Sequence, residues 1–372
     1  MQMPTSGELL SGIQEWVEIE SKSSDRDDVN RMMDLVAGQF AEQGARVARI
    51  PGEDGFGDHL SISSKWGADE PGILVLCHLD TVHPKGTLQS NPFRVEGDRA
   101  FGPGTYDMKG GAHLAYAAYR TLAQAKQTTP LPIRYLYVAD EEVGSRTSRR
   151  HIEAAARKAK YVLVTEPARD GGKIVTARNG SARYMINVEG RPAHSGTRHS
   201  DGRSAILEMS EQVVRLENMT DYGRELTFNV GRIEGGTTPN TVPQFCAAEL
   251  DVRFATLADG VETHAFVSTL PAFNPDVTVS VTGQINRPPF PRTDANDKLF
   301  DVAKDLAADI GFVLEDTKTG GGSDGNFTAA SVATLDGLGV DGAGAHTLDE
   351  YLLVSSLLPR FQLQLRLLQT LV

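Results

Sequence analysis

Gly72-Ile-Leu-Val-Leu-Cys-His78-Leu-Asp80-Thr-Val82 is a short apolar run that ends in polar residues. Such a run is typical of a strand that is buried on both faces of a parallel sheet. His78 therefore emerges at the carboxyl end of a strand, where the active sites of open α/β sheets form. Asp80 points to the same side, so its carboxylate could accept the other imidazole N–H and orient the ring. The His-x-Asp pair alone fits a hydrogen-bonded strand end equally well.

A second apolar run, residues 133–139, ends in Asp140-Glu141-Glu142. Adjacent acidic residues usually lie on a solvated loop, but these follow a strand that we predict to be buried. Unpaired carboxylates in that position would repel one another and raise one another's pKa values. A nearby cation resolves this conflict. One glutamate can then ligate a metal while its neighbour transfers protons.

Asp107 lies in the glycine-rich segment Phe101-Gly-Pro-Gly-Thr-Tyr-Asp107-Met-Lys-Gly-Gly111, ahead of a predicted helix over 112–125. Such a segment turns tightly and brings the backbone close to a ligand. The alternative is a phosphate-binding loop, but no Lys-Ser/Thr pair ends the segment and no nucleotide fingerprint follows a strand. A carboxylate has two oxygens, so Asp107 is able to bridge two cations.

Two further residues complete a set of possible metal ligands. Glu166 follows a third strand-like run at 161–165, and His346 lies in a glycine-rich loop before a long amphipathic C-terminal helix. Each is a weak indication when it is taken alone. With His78, Asp107 and Glu142 they make five His and carboxylate side chains without cysteine, a set that is typical of catalytic metal sites.

These motifs, from about Leu74 to the C terminus, resemble the dinuclear zinc family that includes aminoacylase, acetylornithine deacetylase, succinyl-diaminopimelate desuccinylase and carboxypeptidase G. The resemblance implies two divalent metal ions. Zinc is expected, and cobalt or manganese is compatible with the ligand types. The implied ligands are Asp107 as a bridge, His78 and Glu166 on one ion, and Glu142 and His346 on the other.

The resemblance also assigns the catalytic groups. Glu141 would be the general base and acid, Asp80 would orient His78, and the peptide bond after Asp107 would be cis. Two metals about 3.5–4 Å apart activate a water molecule and polarise a carbonyl oxygen. Amide hydrolysis of a small-molecule or short-peptide substrate is therefore the expected reaction.

The order of predicted elements indicates an α/β fold with an inserted domain. Up to about residue 176, helices at 7–20 and 27–44 alternate with strands, as in a mostly parallel-core mixed sheet with helices on both faces. An α+β unit follows, with strands at 182–188, 226–233, 245–254 and 277–281 and helices at 202–216 and 260–270. The α/β pattern resumes with a helix at 296–310. We predict a catalytic domain at 1–177 and 289–372, and a lid and dimerisation domain at 178–288.

Three positions in the inserted domain match the family. The resemblance implies that His194 reaches the active site of the partner subunit and stabilises the oxyanion, and that Asn240 and Arg253 grip the substrate carboxylate. The bidentate guanidinium suits that task. The enzyme would then be a homodimer that closes over its substrate, and the loop at Ser323 would line the site with backbone donors.

Two cations favour the carboxypeptidase G branch, which releases C-terminal glutamate. Lys173, seven residues after Glu166, and Arg287 resemble the pair that holds the glutamate side chain in that branch. The alternative with the same chemistry is an N-acyl-amino-acid deacylase, such as acetylornithine deacetylase or succinyl-diaminopimelate desuccinylase. An inactive, metal-free binding protein and a nucleotide-binding protein are the alternatives from other classes.

Composition fits a metal-dependent hydrolase. The 372 residues exceed one ordinary core, and the net charge of −12 argues against nucleic-acid binding. The start of the chain has no basic or apolar region of the kind that a signal peptide has, so none is expected, and no apolar run approaches the roughly 20 residues that span a bilayer. The chain has 2 cysteines, so a structural disulfide is not expected and a reducing cytoplasm is.

Overall fold

A computed structural model describes residues 2–67 and 71–372. These residues divide into two compact units. The first holds the described residues up to Ala177, together with Arg292–Thr319 and Ser323–Val372, and the second holds Arg178–Pro291 and Gly320–Gly322. The predicted α/β class with a mixed sheet is confirmed.

The helices and strands alternate through most of the chain. The helices are α1 (Ser6–Val17), α2 (Arg26–Glu42), α3 (Thr87–Ser90), α4 (Gly110–Gln124), α5 (Arg149–Ala156), α6 (Ala205–Glu217), α7 (Leu257–Ser268), α8 (Asp294–Ile310) and α9 (Val354–Thr370). The strands are β1 (Arg46–Ile50), β2 (His59–Ser63), β3 (Gly72–His78), β4 (Arg94–Glu96), β5 (Arg99–Phe101), β6 (Ile133–Val138), β7 (Ala159–Val164), β8 (Ile174–Arg178), β9 (Gly180–Glu189), β10 (Thr227–Gly235), β11 (Phe245–Phe254), β12 (Thr278–Arg287), β13 (Asp316–Thr319), β14 (Ala333–Leu335), β15 (Gly342–Ala343) and β16 (Tyr351–Leu353).

The first unit is built on a six-stranded sheet in the order β1-β2-β6-β3-β7-β14. Strands β6, β3, β7 and β14 run parallel, whereas β1 and β2 are antiparallel to their neighbours. All of β3 is buried, and its side chains alternate between two apolar clusters. Ile73 and Val75 pack in the larger cluster with helices such as α4 and α9, and Leu74 packs in the smaller one with α5. Helices therefore cover both faces of the sheet.

The register of the parallel strands brings their carboxyl ends level. His78 lies opposite Val138 of β6, and Leu76 lies opposite Val164 of β7. Glu166, two residues beyond Val164, is therefore level with His78. The acidic residues after β6 lie at the same edge, because the three strands run in one direction.

A small second sheet, in the order β15-β16-β5-β4, joins distant parts of the first unit. Tyr351 of β16 pairs with Phe101 of β5, directly before the glycine-rich segment. Gly342 of β15 pairs with Leu352 of β16, so the loop between them is a hairpin. This pairing brings a loop from near the end of the chain to the loop that begins after residue 101.

The second unit is an antiparallel four-stranded sheet in the order β10-β11-β9-β12, with α6 and α7 packed on it. Its buried apolar side chains form a separate core that includes Ile186, Leu250 and Phe254. The strands and helices predicted for this part of the sequence are all present, with ends that differ by a few residues.

Both cysteines are buried and free. Among the helices of the described chain, we find none with the length and apolar character that a membrane crossing requires.

Candidate metal centre

His78 and Glu166 meet at the carboxyl edge of the main sheet. Nε2 of His78 lies 3.7 Å from Oε1 of Glu166. Both side chains are buried, at 1% and 4% exposure. Nδ1 of His78 donates to the backbone oxygen of Asp80 at 3.0 Å. This bond places a proton on Nδ1 and leaves Nε2, the nitrogen nearest the carboxylates, as the atom that can ligate a metal.

Asp107 reaches the same point from the glycine-rich segment. Its Oδ1 lies 3.3 Å from Nε2 of His78. A Cβ atom at Gly111 would lie 2.1 Å from the backbone oxygen of Thr165, so only glycine allows the start of α4 to approach the end of β7 this closely. Gly104 has a φ of 74°, in the region that favours glycine. The peptide bond between Asp107 and Met108 is cis, as the resemblance implied.

Glu142 and His346 lie on the other side of Asp107. Nε2 of His346 is 3.0 Å from Oε2 of Glu142 and 3.6 Å from Oδ2 of Asp107. Glu142 belongs to a 3-10 turn directly after β6, at Glu141–Val143. His346 has a φ of 67°, which is strained for a residue with a side chain and occurs mainly at functional sites.

The five side chains form two triads that share Asp107. We call His78, Asp107 and Glu166 the first triad, and Asp107, Glu142 and His346 the second triad. Within each triad one ligand atom from every residue lies within 4.8 Å of the others. Imidazole nitrogens and carboxylate oxygens are ligands of zinc and related divalent metals. Oε1 of Glu142 is buried and has no hydrogen-bond partner among the described residues, so the set fits a cation.

The pKa values of the buried carboxylates also indicate that the site needs a cation. Burial and the charge of Asp107 raise the pKa of Glu166 well above its ordinary value. Burial also raises the pKa of Glu142, against the hydrogen bond from His346. Without a metal, protons must replace the missing positive charge. A divalent cation would supply that charge and keep the carboxylates ionised.

Hydrogen bonds among Asp107, His78 and His346 shift the pKa values of all three side chains. Burial opposes ionisation of Asp107, but hydrogen bonds from His346 and His78 bring its pKa below the ordinary value. Burial likewise opposes charge on His78, yet hydrogen bonds to Asp107 and Asp80 raise the pKa of His78 well above its usual range. Hydrogen bonds to Asp107 and Glu142 raise the pKa of His346 to about 10. In the metal-free protein at neutral pH the imidazole of His346 therefore holds a proton that a metal would displace.

Metal binding is therefore expected to release protons. At pH 7.5 the imidazole of His346 is charged, because its pKa is about 10, and a metal ligand must be neutral. Adding zinc to the metal-free protein in weak buffer should acidify the solution, and the apparent affinity should rise with pH until about 10. The variant His346→Ala should release fewer protons per bound zinc. A pH-independent affinity would contradict this.

The raised pKa of His346 also makes the stability of the metal-free protein depend on pH. The folded-state pKa of His346, about 10, exceeds the ordinary value of 6.5. Its contribution to stability is complete below the ordinary pKa and is lost as the pH rises through the folded-state value. Thermal denaturation of the metal-free protein should show this loss between those two pH values, and His346→Ala should show less of it.

Asp80 holds the segment that carries Glu141 and Glu142. Its carboxylate, 0% exposed, accepts the backbone N–H groups of both residues at 3.2 Å and the hydroxyl of Ser23 at 2.6 Å. The same carboxylate is 3.5 Å from Nδ1 of His78, farther than the backbone oxygen that His78 bonds. Asp80 therefore contacts His78 mainly through its main chain, and its side chain holds the backbone of Glu141 and of Glu142, a member of the second triad.

The sequence profile of Peptidase family M20/M25/M40 matches residues 74–370. The chain belongs to this family. Membership makes it a metal-dependent hydrolase, and it removes the metal-free binding protein and the nucleotide-binding protein from consideration. The triads are this M20 enzyme's candidate metal ligands.

The chain is also similar in sequence to individual enzymes. Carboxypeptidase G2 of Pseudomonas sp. (strain RS-16) is 31% identical over 98% of this chain and 89% of the relative. Acetylornithine deacetylase of Vibrio cholerae is 32% identical, over 52% of this chain and 53% of the relative.

Solved structures show the same fold. Aminopeptidase PepT from Bacillus cereus is 23% identical with a TM-score of 0.77, and 99% of each chain is covered. An M20 family metallo-carboxypeptidase from Sulfolobus solfataricus is 17% identical with a TM-score of 0.76, over 97% of this chain and 98% of the other.

His194 of this M20 enzyme lies on an exposed loop of the second unit. Its Nδ1 accepts the backbone N–H groups of Gly196 at 3.1 Å and Thr197 at 3.3 Å. The neutral ring therefore carries its proton on Nε2. An Nε2–H group is a donor of the kind that an oxyanion needs. The family resemblance implied this role for His194. The hydrogen bonds in the loop give its ring the tautomer that this role requires.

Asn240 and Arg253 also belong to the second unit. Asn240 is exposed, and its backbone oxygen accepts the N–H group of Ser195 at 3.0 Å. Arg253 on β11 is bound bidentately to Asp251, at 2.6 and 3.1 Å. A substrate carboxylate at Arg253 would thus have to compete with Asp251, which the sequence analysis did not foresee. Their role in substrate binding stays a prediction.

The remaining predicted substrate residues are engaged within the protein. Lys173 Nζ is 3.5 Å from a carboxylate oxygen of Glu315. Arg287 ends β12 and is 5% exposed. Ser323 is fully buried, and its hydroxyl accepts the N–H group of Gly325 at 3.0 Å as the cap of a 3-10 turn. The Ser323 side chain therefore shapes the loop.

Sequence reasoning missed Arg169 and Glu350. Burial lowers the pKa of Arg169, but charges that include Tyr106, Glu166 and Asp107 raise it above the ordinary value, so its guanidinium lies in the field of the triads. Glu350 is buried and contacts the Asp107 segment. The position of Glu350 four residues after His346 was the available indication, but an acidic residue in a loop is usually solvated.

Proposed function

We propose that this M20 enzyme hydrolyses an amide bond to release a C-terminal amino acid, glutamate, from N-acyl or peptide substrates. The observation that carries the proposal is the pair of triads sharing Asp107; Asp80 holds the backbone of Glu141, which directly precedes Glu142 of the second triad. Similarity to a carboxypeptidase over 98% of the chain supports the carboxypeptidase reaction.

The proposed site holds two divalent metal ions, zinc by preference. His78 and Glu166 would bind one, Glu142 and His346 the other, and Asp107 both. When bound, the two ions would activate the attacking water and polarise the amide carbonyl. The absence of cysteine ligands and the buried position of the carboxylates support a catalytic rather than a structural site.

The protein's own groups would move the proton and stabilise charge. Glu141 would accept a proton from the attacking water and then donate it to the nitrogen of the leaving amine. His194 from the partner subunit would donate its Nε2–H to the oxyanion. Asn240 and Arg253 would bind the terminal carboxylate of the substrate. The 3-10 turn held by Asp80 supports the role of Glu141, since it fixes the backbone of that residue.

A homodimer formed through the second unit is part of the proposal. Helix α6 exposes Leu207 and Val214 by 62% and 60%, and β10, an edge strand, exposes Ile233 by 52%. Large apolar side chains and an unpaired strand edge in one unit are typical of a protein interface. The substrate-binding loop of His194 would then face a second copy. The free cysteine thiols support a reducing, cytoplasmic setting.

The proposed substrate class can be tested with a panel of amides. The panel holds N-acyl-glutamate, N-acyl-aspartate, folate, acetylornithine and succinyl-diaminopimelate, each with zinc and after chelation. We expect glutamate release that chelation abolishes. Selective deacylation of the ornithine or diaminopimelate derivative would instead favour the deacylase reaction, which the partial match to acetylornithine deacetylase makes the second candidate.

Lys173 gives a sharper test of glutamate specificity. If its ammonium binds the substrate side chain, Lys173→Met should raise KM for N-acyl-glutamate about tenfold, as expected for one lost charge-assisted contact, and leave kcat unchanged. The matched variant Glu315→Gln removes the observed partner of Lys173 and should not raise KM. An unchanged KM in Lys173→Met would remove this residue from the glutamate pocket.

A further inference from the structure

Glu350 is a fully buried carboxylate with both oxygens engaged. Its Oε1 accepts the backbone N–H groups of Tyr106 and Asp107, each at 2.9 Å. Its Oε2 accepts the N–H group of Gly104 at 2.9 Å and lies 2.6 Å from Nε2 of His83. Four polar groups from two distant segments therefore converge on one side chain. An unpaired charge at such depth would be costly, so these contacts are what allow the carboxylate to be buried.

Each partner of Glu350 lies near a candidate metal ligand. His83 is five residues beyond His78, on the loop that leaves β3. Three of the bonds are to the segment that presents Asp107. Glu350 itself follows His346 in the same loop and directly precedes β16. One carboxylate thus connects the loop that follows His78 with the loops that carry Asp107 and His346.

We propose that Glu350 is a positioning residue for metal binding. It holds the backbone of Asp107 so that one carboxylate oxygen faces each triad. Groups outside the metal ligands commonly fix the orientation of those ligands, and losing one typically costs about 10–100-fold in metal affinity. Asp107 belongs to both triads, so its displacement affects both ions. The inference rests on the metal site of the proposed function.

A purely structural role is the competing explanation. A buried carboxylate that binds backbone N–H groups stabilises any loop, whether or not that loop binds metal. Glu208 in the second unit provides a matched control, because it is 2% exposed and accepts the N–H groups of Phe273 at 2.9 Å and Asn274 at 3.0 Å. It has no part in the triads, so Glu208→Gln measures the cost of losing such a carboxylate alone.

The test compares zinc affinity with stability in Glu350→Gln and Glu208→Gln. The glutamine keeps the size of the side chain, but its NH2 group faces a donor where a carboxylate oxygen stood. Zinc affinity is measured on metal-free protein by competition with a chromophoric chelator, and stability by thermal denaturation of the same samples. We expect both variants to melt earlier than the parent protein. Only Glu350→Gln should bind zinc about 10–100-fold more weakly.

Several outcomes would overturn the inference. Zinc affinity in Glu350→Gln within twofold of the parent protein would reduce Glu350 to a structural role, as would an equal loss in Glu208→Gln. If Glu350→Gln does not fold, His83→Phe is the variant to test, because it removes one contact of Glu350 and keeps the three hydrogen bonds from backbone N–H groups. It should weaken zinc binding by up to about tenfold, the lower end of the range for groups that orient metal ligands, and unchanged affinity would contradict the inference. A parent protein that binds no zinc would instead overturn the proposed function.

Discussion

Replacing Glu141 with alanine is expected to lower kcat by roughly 10²–10⁴-fold, the range that a positioned general acid or base contributes. Metal content should stay at the parent level, because Glu141 is in neither triad. In the proposed mechanism both proton transfers depend on this one carboxylate, because the neighbouring Glu142 is turned toward His346. Steady-state kinetics on N-acyl-glutamate and elemental analysis of the same sample give the two values.

A surface glutamate serves as the control for Glu141. Glu153 on α5 is partly exposed and bonds Arg149 at 2.8 Å, one helical turn away. The variant Glu153→Ala should keep parental kcat and metal content. Substantial turnover in Glu141→Ala would show that another group transfers the proton. Loss of metal together with activity would instead place Glu141 among the ligands.

Replacing Asp107 with asparagine is expected to remove both of the proposed metal ions. Its Oδ1 faces His78 and its Oδ2 faces His346, so each triad loses its shared charged oxygen. An amide offers one weaker oxygen ligand and no negative charge. Activity should fall at least as far as in Glu141→Ala, which is at least about 10²-fold. Metal content after dialysis should fall for both ions.

Comparing His346→Ala with Asp107→Asn distinguishes a residue of one triad from the residue that both triads share. His346 belongs only to the second triad, so this variant should keep the ion proposed for His78 and Glu166. The expected order of retained metal is therefore the parent protein first, His346→Ala second and Asp107→Asn last. Equal metal content in the two variants would mean that Asp107 does not bridge. Circular dichroism of both variants serves as the control that they are folded.

The candidate ligands could be predicted because each ends an apolar run or lies in a glycine-rich loop. The run containing His78 is a buried strand, and the strand before Glu166 is buried over its last three residues; parallel strands bring their carboxyl ends to one edge. The glycines around Asp107 allow a close approach that the structure shows at Gly111. These are local features of the sequence with predictable spatial consequences.

Other features depend on pairings that leave no local pattern. Strand β1 reads Arg-Val-Ala-Arg-Ile and is largely exposed, so its apolar periodicity is weak. The four contacts of Glu350 join residues more than 240 positions apart in three cases and 267 in the fourth. The ion pairs of Lys173 and Arg253 within the protein were likewise not visible from residue type. Such contacts follow from tertiary packing.

The most direct test of the two-metal site is the anomalous scattering of zinc in crystals of the purified protein. The proposal predicts two peaks on either side of Asp107, about 3.5–4 Å apart, one beside His78 and Glu166 and one beside Glu142 and His346. Both peaks should disappear from crystals of chelated protein. A single peak, or zinc bound away from Asp107, would contradict the two-metal site.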